Sequence, residues 1–394
     1  MVASNEEIAE AVGVLFENYW IVRERQRYEY HLIKSNEREL IRHLMENYGL
    51  KLIVRSHFIK LEKIPIQAKS WMGMADFNTL MEYALFCCAM AYTEEKGEGE
   101  PFLLNELVEE IELFYPEKEG LDWTNYRHRK SLVKVLNKMV DLQLIEIIEG
   151  NTNTFAESKE QYEVLYRISK YSRYFIRTYP EDFQIYNSGR DFISNERREK
   201  LADYENRVKI FRTLLMEPAI LRNADNESEF YYLRNQEENI RHFFEKFTPF
   251  SFELTKNVAM LTLHDRKAQY DTFPSLKSLD DCFLQLVDYV RGDGLEYNAY
   301  GEMILTSNQW KTLVGDHAAR NRGGWSKKDQ ELSLDKLAAV LLEIGKTWGM
   351  LRENKLGNIT IMPNFARNIG RYPAGFDSLY PEAYKEKMKT QIDD

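Results

Sequence analysis

The sequence predicts a mainly α-helical protein of the α+β class, in which groups of helices are followed by short β-hairpins. Three observations support this prediction: helical periodicity recurs along the chain, short alternating apolar runs follow the helices, and the order of these elements repeats. The 394 residues exceed what one hydrophobic core organises, so several domains are expected.

The first segment predicts two helices and a hairpin. Helical spacing is present at about 5–19 and 36–48. Two alternating runs follow, Leu50–Arg55 and Phe58–Glu62, and a tight connection joins them. Helices followed by a hairpin are therefore expected.

The second segment repeats that order with one more helix. Helices are predicted at about 77–92, 103–114 and 126–142. A strand at Leu144–Ile148, a loop containing Gly150 and Asn151, and a returning strand at Tyr162–Ile168 complete the pattern. Three helices capped by a hairpin are typical of a winged helix, a variant of the helix-turn-helix.

Comparison of the chain with itself indicates a duplication. At an offset of 199 residues, five residues meet identical residues: Asn36, Ile41, Arg42, His43 and Glu46 fall on Asn235, Ile240, Arg241, His242 and Glu245. Each matched helix is followed by a predicted hairpin, formed in the second copy by 250–254 and 260–263. The matched histidines His43 and His242 are expected to share a structural role.

The later half continues the scheme, with helices predicted at about 279–291, 306–318 and 333–350 and strands at 351–353 and 359–362. Two pairs of winged-helix units are therefore expected. The predicted division is unit A, 1–70; unit B, 71–172; a connecting helical segment, 173–216; unit A′, 217–270; unit B′, 271–372; and a tail, 373–394.

Charge and composition limit the possible functions. The formal net charge of −10 argues against a protein that coats nucleic acid through bulk electrostatics, so any DNA contact is expected to be local or supplied within an assembly. The acidic N-terminus lacks a secretory signal, and no run of roughly 20 apolar residues follows, which favours a cytoplasmic protein without membrane contact. Cys87, Cys88 and Cys282 are interpreted as small core residues.

No motif predicts catalysis. Gly345-Lys346-Thr347 resembles the end of a phosphate-binding loop but lacks the earlier glycine and lies in a helical pattern. The seven histidines show no zinc spacing, and acidic pairs such as Glu94-Glu95 lack the further groups that a nuclease needs. We therefore expect no enzyme activity, no cofactor and no metal.

The helix predicted at 126–142 is the strongest candidate for a DNA-binding surface. Four basic residues recur at three- and four-residue spacing on one face, whereas apolar residues occupy the other. The third helix of a winged helix commonly enters the DNA groove, so this uniformly basic face predicts phosphate contacts. A solvated face or a protein contact is the alternative. The basic residues are Arg127, Lys130, Lys134 and Lys138.

A second basic candidate is the segment 320–328. Its two glycines suggest flexibility, and Trp325 offers a surface for stacking or docking. The alternative is an exposed loop with Trp325 tucked against the following helix. The candidate DNA-binding residues are Arg320, Arg322, Lys327 and Lys328.

The order of segments resembles a known family over about residues 15–370. The segments that carry the resemblance are YWIVRERQRYEYHLIKSNERELIRHLMENYGLKLIVRSHFIKLEKIP, YALFCCAMAY, RHRKSLVKVLNKMVDLQLIEI, GGWSKKDQEL and MPNFARNIGRY. They are similar to KITE (kleisin-interacting tandem winged-helix element) subunits of Wadjet plasmid-defence systems, particularly of the type II class.

This resemblance implies a non-catalytic subunit of an SMC-like complex. Its partners would be a kleisin-like subunit, an SMC-like ATPase and DNA, which the subunit helps to hold during loop extrusion. Small KITE proteins have two winged helices and dimerise, whereas four are expected here, which leaves a homodimer open. The alternative function is a tandem winged-helix transcription regulator that binds a palindromic operator.

Overall fold

The computed structural model describes residues 4–116, 120–157, 164–175, 185–188, 191, 206–292 and 296–372. The chain divides into two compact bodies: residues 1–67 with 194–394 form one, and residues 68–193 form the other. Within the described ranges, no helix has the length and apolar character needed to cross a membrane.

Units A and A′ are built from the same six elements. Unit A consists of α1 (Asn5–Glu17), β1 (Ile21–Val22), α2 (Arg27–Ser35), α3 (Glu37–Tyr48), β2 (Leu52–Val54) and β3 (Phe58–Leu61). Unit A′ consists of α8 (Asn206–Met216), β7 (Ile220–Leu221), α9 (Glu227–Asn235), α10 (Glu237–Phe247), β8 (Ser251–Leu254) and β9 (Val258–Thr262).

Units B and B′ follow the same order, and among the described residues each has one short additional α-helix. Unit B consists of α4 (Leu80–Glu95), β4 (Pro101–Leu103), α5 (Leu104–Phe114), α6 (Tyr126–Asp141), β5 (Ile145–Glu149), α7 (Thr154–Glu157) and β6 (Leu165–Ile168). Unit B′ consists of α11 (Ser278–Gly292), β10 (Met303–Leu305), α12 (Ser307–Asn321), α13 (Lys327–Gln330), α14 (Leu334–Thr347), β11 (Leu351–Glu353) and β12 (Ile359–Ile361).

Each unit contains one three-stranded antiparallel sheet in which the third strand lies between the first and the second. This arrangement confirms the predicted mainly helical α+β class with short hairpins. The first strand of every sheet was missed because two or three residues are too short to show an alternating pattern. The identification of the units as winged helices stays a prediction.

Local sequence signals explain where several helices begin and end. Ser4 with Glu7, Thr79 with Glu82, and Thr306 with Gln309 form capping boxes at the starts of α1, α4 and α12. Helix α3 ends at Gly49, whose φ of 62° is a conformation that glycine adopts without steric cost. The longest predicted helices were confirmed to within about three residues at either end.

Units A and A′ share one hydrophobic core. Helix α1 of unit A packs against α10 of unit A′, and α8 of unit A′ packs against α3 of unit A. The fully buried Leu44 and Tyr48 of α3 lie in the same apolar cluster as Phe211 of α8 and Phe244 of α10. Because the contacts are reciprocal, the two copies are arranged like the subunits of a two-fold dimer.

The structural register of the duplication differs by one residue from that predicted for the matched helix. Buried Leu40 and Leu44 of α3 correspond to buried Ile240 and Phe244 of α10, an offset of 200 residues rather than 199. The loop before α2 has four residues, 23–26, whereas the loop before α9 has five, 222–226. This one-residue insertion shifts every later element.

The shared role expected for His43 and His242 was therefore wrong. His43 is buried, whereas His242 is exposed. The structural counterpart of His43 is Phe243, and the two rings stack on each other with centroids 5.8 Å apart and planes 6° apart. Equivalent residues of the two copies thus meet where the copies are joined.

The buried Arg212 and the partly buried Lys63 stabilise the ends of helices in this shared core. Arg212 of α8 donates hydrogen bonds to the carbonyl oxygens of Tyr48 and Gly49 at the end of α3, both at 2.6 Å. The ammonium group of Lys63 contacts the carbonyl oxygens of Phe16 and Asn18 at the end of α1, at 2.8 and 2.7 Å. Both cations meet carbonyl groups that the helix itself leaves unpaired.

Some sequence predictions fall partly outside the described residues. The first two residues of the strand expected at 162–168, most of the connecting segment 173–216 and the tail 373–394 lie there. The described part of the connecting segment includes α8, which belongs to the core of units A and A′ and is therefore assigned to unit A′ rather than to a separate connecting segment.

Candidate functional site

Helix α6 of unit B carries the main predicted DNA-binding surface. The orientation of this helix is fixed by a cap at its start and by the burial of its apolar face. The side chain of Asn125 caps the helix by accepting a hydrogen bond from the backbone N–H of Arg127 at 2.9 Å. Leu132, Leu136 and Met139 are fully buried, which confirms the predicted apolar face. The opposite face is therefore held towards the surface of the unit.

The buried Arg129 fixes the segment that leads into α6. Its guanidinium group donates hydrogen bonds to the carbonyl oxygens of Trp123 and Thr124, at 2.7 and 2.9 Å. Only 8% of Arg129 is exposed, so this arginine is structural. It differs in this respect from Arg127 two residues earlier, which is exposed.

The four predicted basic residues of α6 divide into two pairs. Arg127 and Lys130 are exposed, and the Lys130 ammonium group lies 5.9 Å from the centroid of the Tyr126 ring. Lys134 and Lys138 are engaged within unit B, because their ammonium groups lie 3.0 Å from a carboxylate oxygen of Glu82 and 2.6 Å from one of Asp76. The expectation of a uniformly basic face was therefore wrong for its second half.

The ion pairs with Lys134 and Lys138 also contribute to lower pKa values of the two acids, Glu82 and Asp76. The hydrogen bond from Lys138 holds the pKa of Asp76 below its ordinary value. Burial raises the pKa of Glu82, but backbone hydrogen bonds and the bond from Lys134 outweigh it, so that the pKa lies below its ordinary value. Both carboxyl groups are thus stabilised as anions, and each offsets the positive charge of a lysine on α6.

The segment 320–328 of unit B′ is ordered rather than flexible. Trp325 is buried, and its indole N–H donates a 2.8 Å hydrogen bond to Oε1 of Gln285. A Cβ atom at Gly324 would lie 2.2 Å from the hydroxyl oxygen of Tyr372, so this glycine permits close packing. The prediction that Trp325 offers an exposed docking surface was wrong because the indole completes the core of unit B′.

The four basic residues of this segment differ in exposure. The guanidinium group of Arg322 donates to the carbonyl oxygen of Leu332, and burial lowers its pKa. The Arg320 guanidinium group lies 4.9 Å from the centroid of the Tyr289 ring. Lys327 and Lys328 are exposed on α13. Arg320, Lys327 and Lys328 are therefore the exposed basic groups of this candidate, whereas Arg322 is partly buried.

The remaining motifs have structural explanations. Gly345 lies inside α14, where a Cβ atom would come within 2.4 Å of the Leu351 side chain. Cys88 and Cys282 are buried as expected, but Cys87 is exposed, so the prediction of a core position was wrong for that residue. Among the described residues, no three His, Cys, Asp or Glu side chains are grouped so that they could hold a metal ion.

The sequence interpretation missed a further group of basic residues in unit A. Arg23, Arg25 and Arg27 lie in and after the loop between β1 and α2, and Arg55 lies in the turn between β2 and β3. All four side chains are exposed. The alternating RERQR run was the available sequence signal. The short strand β1 before it was not recognised, so the sequence did not show that this loop lies beside the β2–β3 turn.

These observations define a mainly α-helical protein built from four repeats of one helix-and-strand order, two of which share a core. The profile of one family, described as "Protein of unknown function (DUF2398)", matches residues 12–371. The chain therefore belongs to this family. Neither the curated proteins nor the solved structures include a match to this sequence.

Proposed function

We propose that this protein is a non-catalytic, KITE-type subunit of an SMC-like Wadjet complex. In this role it binds a kleisin-like subunit and helps to hold DNA while the SMC-like ATPase extrudes loops in defence against plasmids. The observation that carries the proposal is the reciprocal packing of units A and A′ around one core.

The shared core supports the proposal because it supplies a pair of units within a single chain. The resemblance implies that small KITE proteins obtain such a pair by dimerisation. Here α1 with α10 and α3 with α8 form equivalent contacts across the duplicated units. One chain is therefore expected to serve where two copies of a smaller KITE protein would be needed.

Co-purification tests the proposal most directly. The full chain should form a stable complex with the kleisin-like protein encoded beside it. This complex should contain one copy of the chain where smaller KITE proteins supply two copies. A failure to associate would contradict the proposal. Specific binding of the isolated chain to a palindromic operator in a shift assay would instead favour a transcription regulator.

We further propose that only the first half of α6 contacts DNA. Exposed Arg127 and Lys130 are expected to contact phosphates, whereas Lys134 and Lys138 are expected to stabilise unit B. Replacing Arg127 and Lys130 with glutamine should weaken DNA binding by the assembled complex and reduce its salt dependence by about two phosphate contacts.

The matched control replaces Lys134 and Lys138 with glutamine, which removes the same charge. This control should lower the melting temperature of the protein, because it leaves the buried carboxylate of Glu82 without its lysine. It should lower DNA affinity less than the replacement of Arg127 and Lys130 does. Equal effects of the two double variants on DNA affinity would show that the helix contributes only bulk charge.

A further inference from the structure

We infer that the β1–α2 loop and the β2–β3 turn of unit A form a binding surface for the phosphates of duplex DNA. We call this surface the arginine wing and define it by Arg23, Arg25, Arg27 and Arg55. It contains none of the residues of α6 or of the segment 320–328. The inference rests on the proposed function only for naming DNA as the source of the phosphates.

The fold brings the two segments of the arginine wing together. The backbone N–H of Arg23 donates a 2.9 Å hydrogen bond to the carbonyl oxygen of His57, which ties the loop to the turn. Tyr30 reinforces this link, because its hydroxyl donates to the carbonyl oxygen of Arg55 at 2.7 Å and its ring centroid lies 5.7 Å from the Arg23 guanidinium carbon. The arginines are thus presented by a connected piece of backbone.

The charge of the arginine wing is not neutralised by an acid of the described chain. No carboxylate among the described residues forms an ion pair with any of its four arginines, although Glu24 and Glu29 lie in the same stretch of sequence. Arg27 is also the first residue of α2, where the positive end of the helix dipole disfavours a cation. The guanidinium groups of these arginines are therefore free of carboxylate partners within the described residues, which favours an external anion.

Unit A′, the second copy of the duplication, carries different residues at the positions of the arginine wing. Arg27 and Arg55 correspond to Glu227 and Thr255 at the offset of 200 residues. Arg222, which occupies the place of Arg23, forms a 2.9 Å ion pair with Glu227 and lies 5.8 Å from the centroid of the Tyr300 ring of unit B′. In unit A′ the positive charge is neutralised and covered, whereas in unit A it is exposed.

Duplex DNA fits this surface better than a small anion. Four arginines spread over a loop and a turn offer several forked donors on an open surface, which suits consecutive phosphates along a backbone. Phosphate contacts carry no sequence information, so binding should be independent of sequence and strongly dependent on salt. The overall charge of −10 agrees with a local contact of this kind.

The test replaces two residues of the arginine wing with their counterparts in unit A′. The full chain carrying Arg27→Glu and Arg55→Thr is titrated against a fluorescent mixed-sequence duplex at several salt concentrations. We expect about a tenfold loss of affinity at low salt and a salt-dependence slope smaller by about two. Both substituted side chains are exposed, so the melting temperature should remain that of the wild type.

The charge-matched control carries Lys256→Glu and Lys277→Thr, at exposed positions outside unit A. It should bind DNA like the wild type. Equal losses in both variants, or no duplex binding by the wild type at low salt, would overturn the inference. So would equally tight, wing-dependent binding of polyglutamate, which would identify an acidic protein as the partner. Failure of the wild-type chain to bind the kleisin-like subunit would instead contradict the proposed function, and the DNA-binding result would remain valid.

Discussion

Units A and A′ have the same elements and one shared core, yet their outer loops differ in both charge and surroundings. The turn of unit A exposes Arg55, whereas unit A′ is covered by unit B′, whose Arg367 forms a 2.6 Å ion pair with Glu253 of β8. Buried positions such as Leu44 and Phe244 remain apolar in both copies, whereas the outer positions Arg27 and Arg55 are Glu227 and Thr255 in unit A′. The residues that both copies share in the core are therefore attributed to the fold, and the outer residues that differ are attributed to binding of a partner.

The largest expected effect comes from removing the cation that joins the two copies. Arg212→Met should lower the free energy of unfolding by about 3–5 kcal/mol, because two short hydrogen bonds from a charged donor are lost at roughly 1.5–3 kcal/mol each. The carbonyl groups of Tyr48 and Gly49 would then end α3 without a donor. Chemical denaturation measures this change.

Arg234→Met is the matched control for this prediction, because Arg234 lies in the same unit but is exposed. Its effect should stay within about 0.5 kcal/mol. A similarly small effect of Arg212→Met would mean that the end of α3 does not depend on unit A′.

Much of this arrangement could be predicted from the sequence, but not the pairing of the copies. Helices such as α6 and α14 show a clear period of 3.6 residues, and their predicted ranges were confirmed. The contacts of α3 with α8 join segments that are far apart in sequence, and no local pattern encodes them. The one-residue insertion before α9 also escaped detection, because β7 and α9 had not been recognised.

The candidate site was predicted less completely, since exposure and ion pairing depend on neighbours from other segments. The spacing of Lys134 and Lys138 correctly placed them on the face of α6 opposite the core. It could not reveal that Glu82 and Asp76 lie beside that face. The glycines near Trp325 suggested a loop, whereas Tyr372, about 50 residues later, explains Gly324.

A smaller effect should appear in the dependence of stability on pH. Burial lowers the pKa of His43 from 6.5 to about 4 and that of His317 also to about 4. The unfolded chain therefore binds more protons than the folded chain between about pH 6.5 and 4, and stability is lost as the pH falls through this window. Each histidine should cost about 2 kcal/mol between pH 7 and pH 5.

His43→Phe should remove about half of this loss, since it makes the position match Phe243 and leaves His317 to titrate. Melting temperatures measured from pH 7 to pH 5 would show the flatter curve. His242→Phe is the control, because His242 is exposed, and its curve should follow that of the wild type. A flatter curve for His242→Phe and not for His43→Phe would contradict the burial of His43 in the shared core.

Hydrogen exchange of the full chain carrying Phe244→Ala tests the shared core most directly. Phe244 lies in unit A′ and is fully buried, so its truncation should cost about 3–5 kcal/mol. If units A and A′ unfold as one cooperative body, amide exchange should accelerate in α1 and α3 of unit A as much as in α10. Faster exchange confined to unit A′, with α1 and α3 unchanged, would contradict the central claim that the two copies form one core.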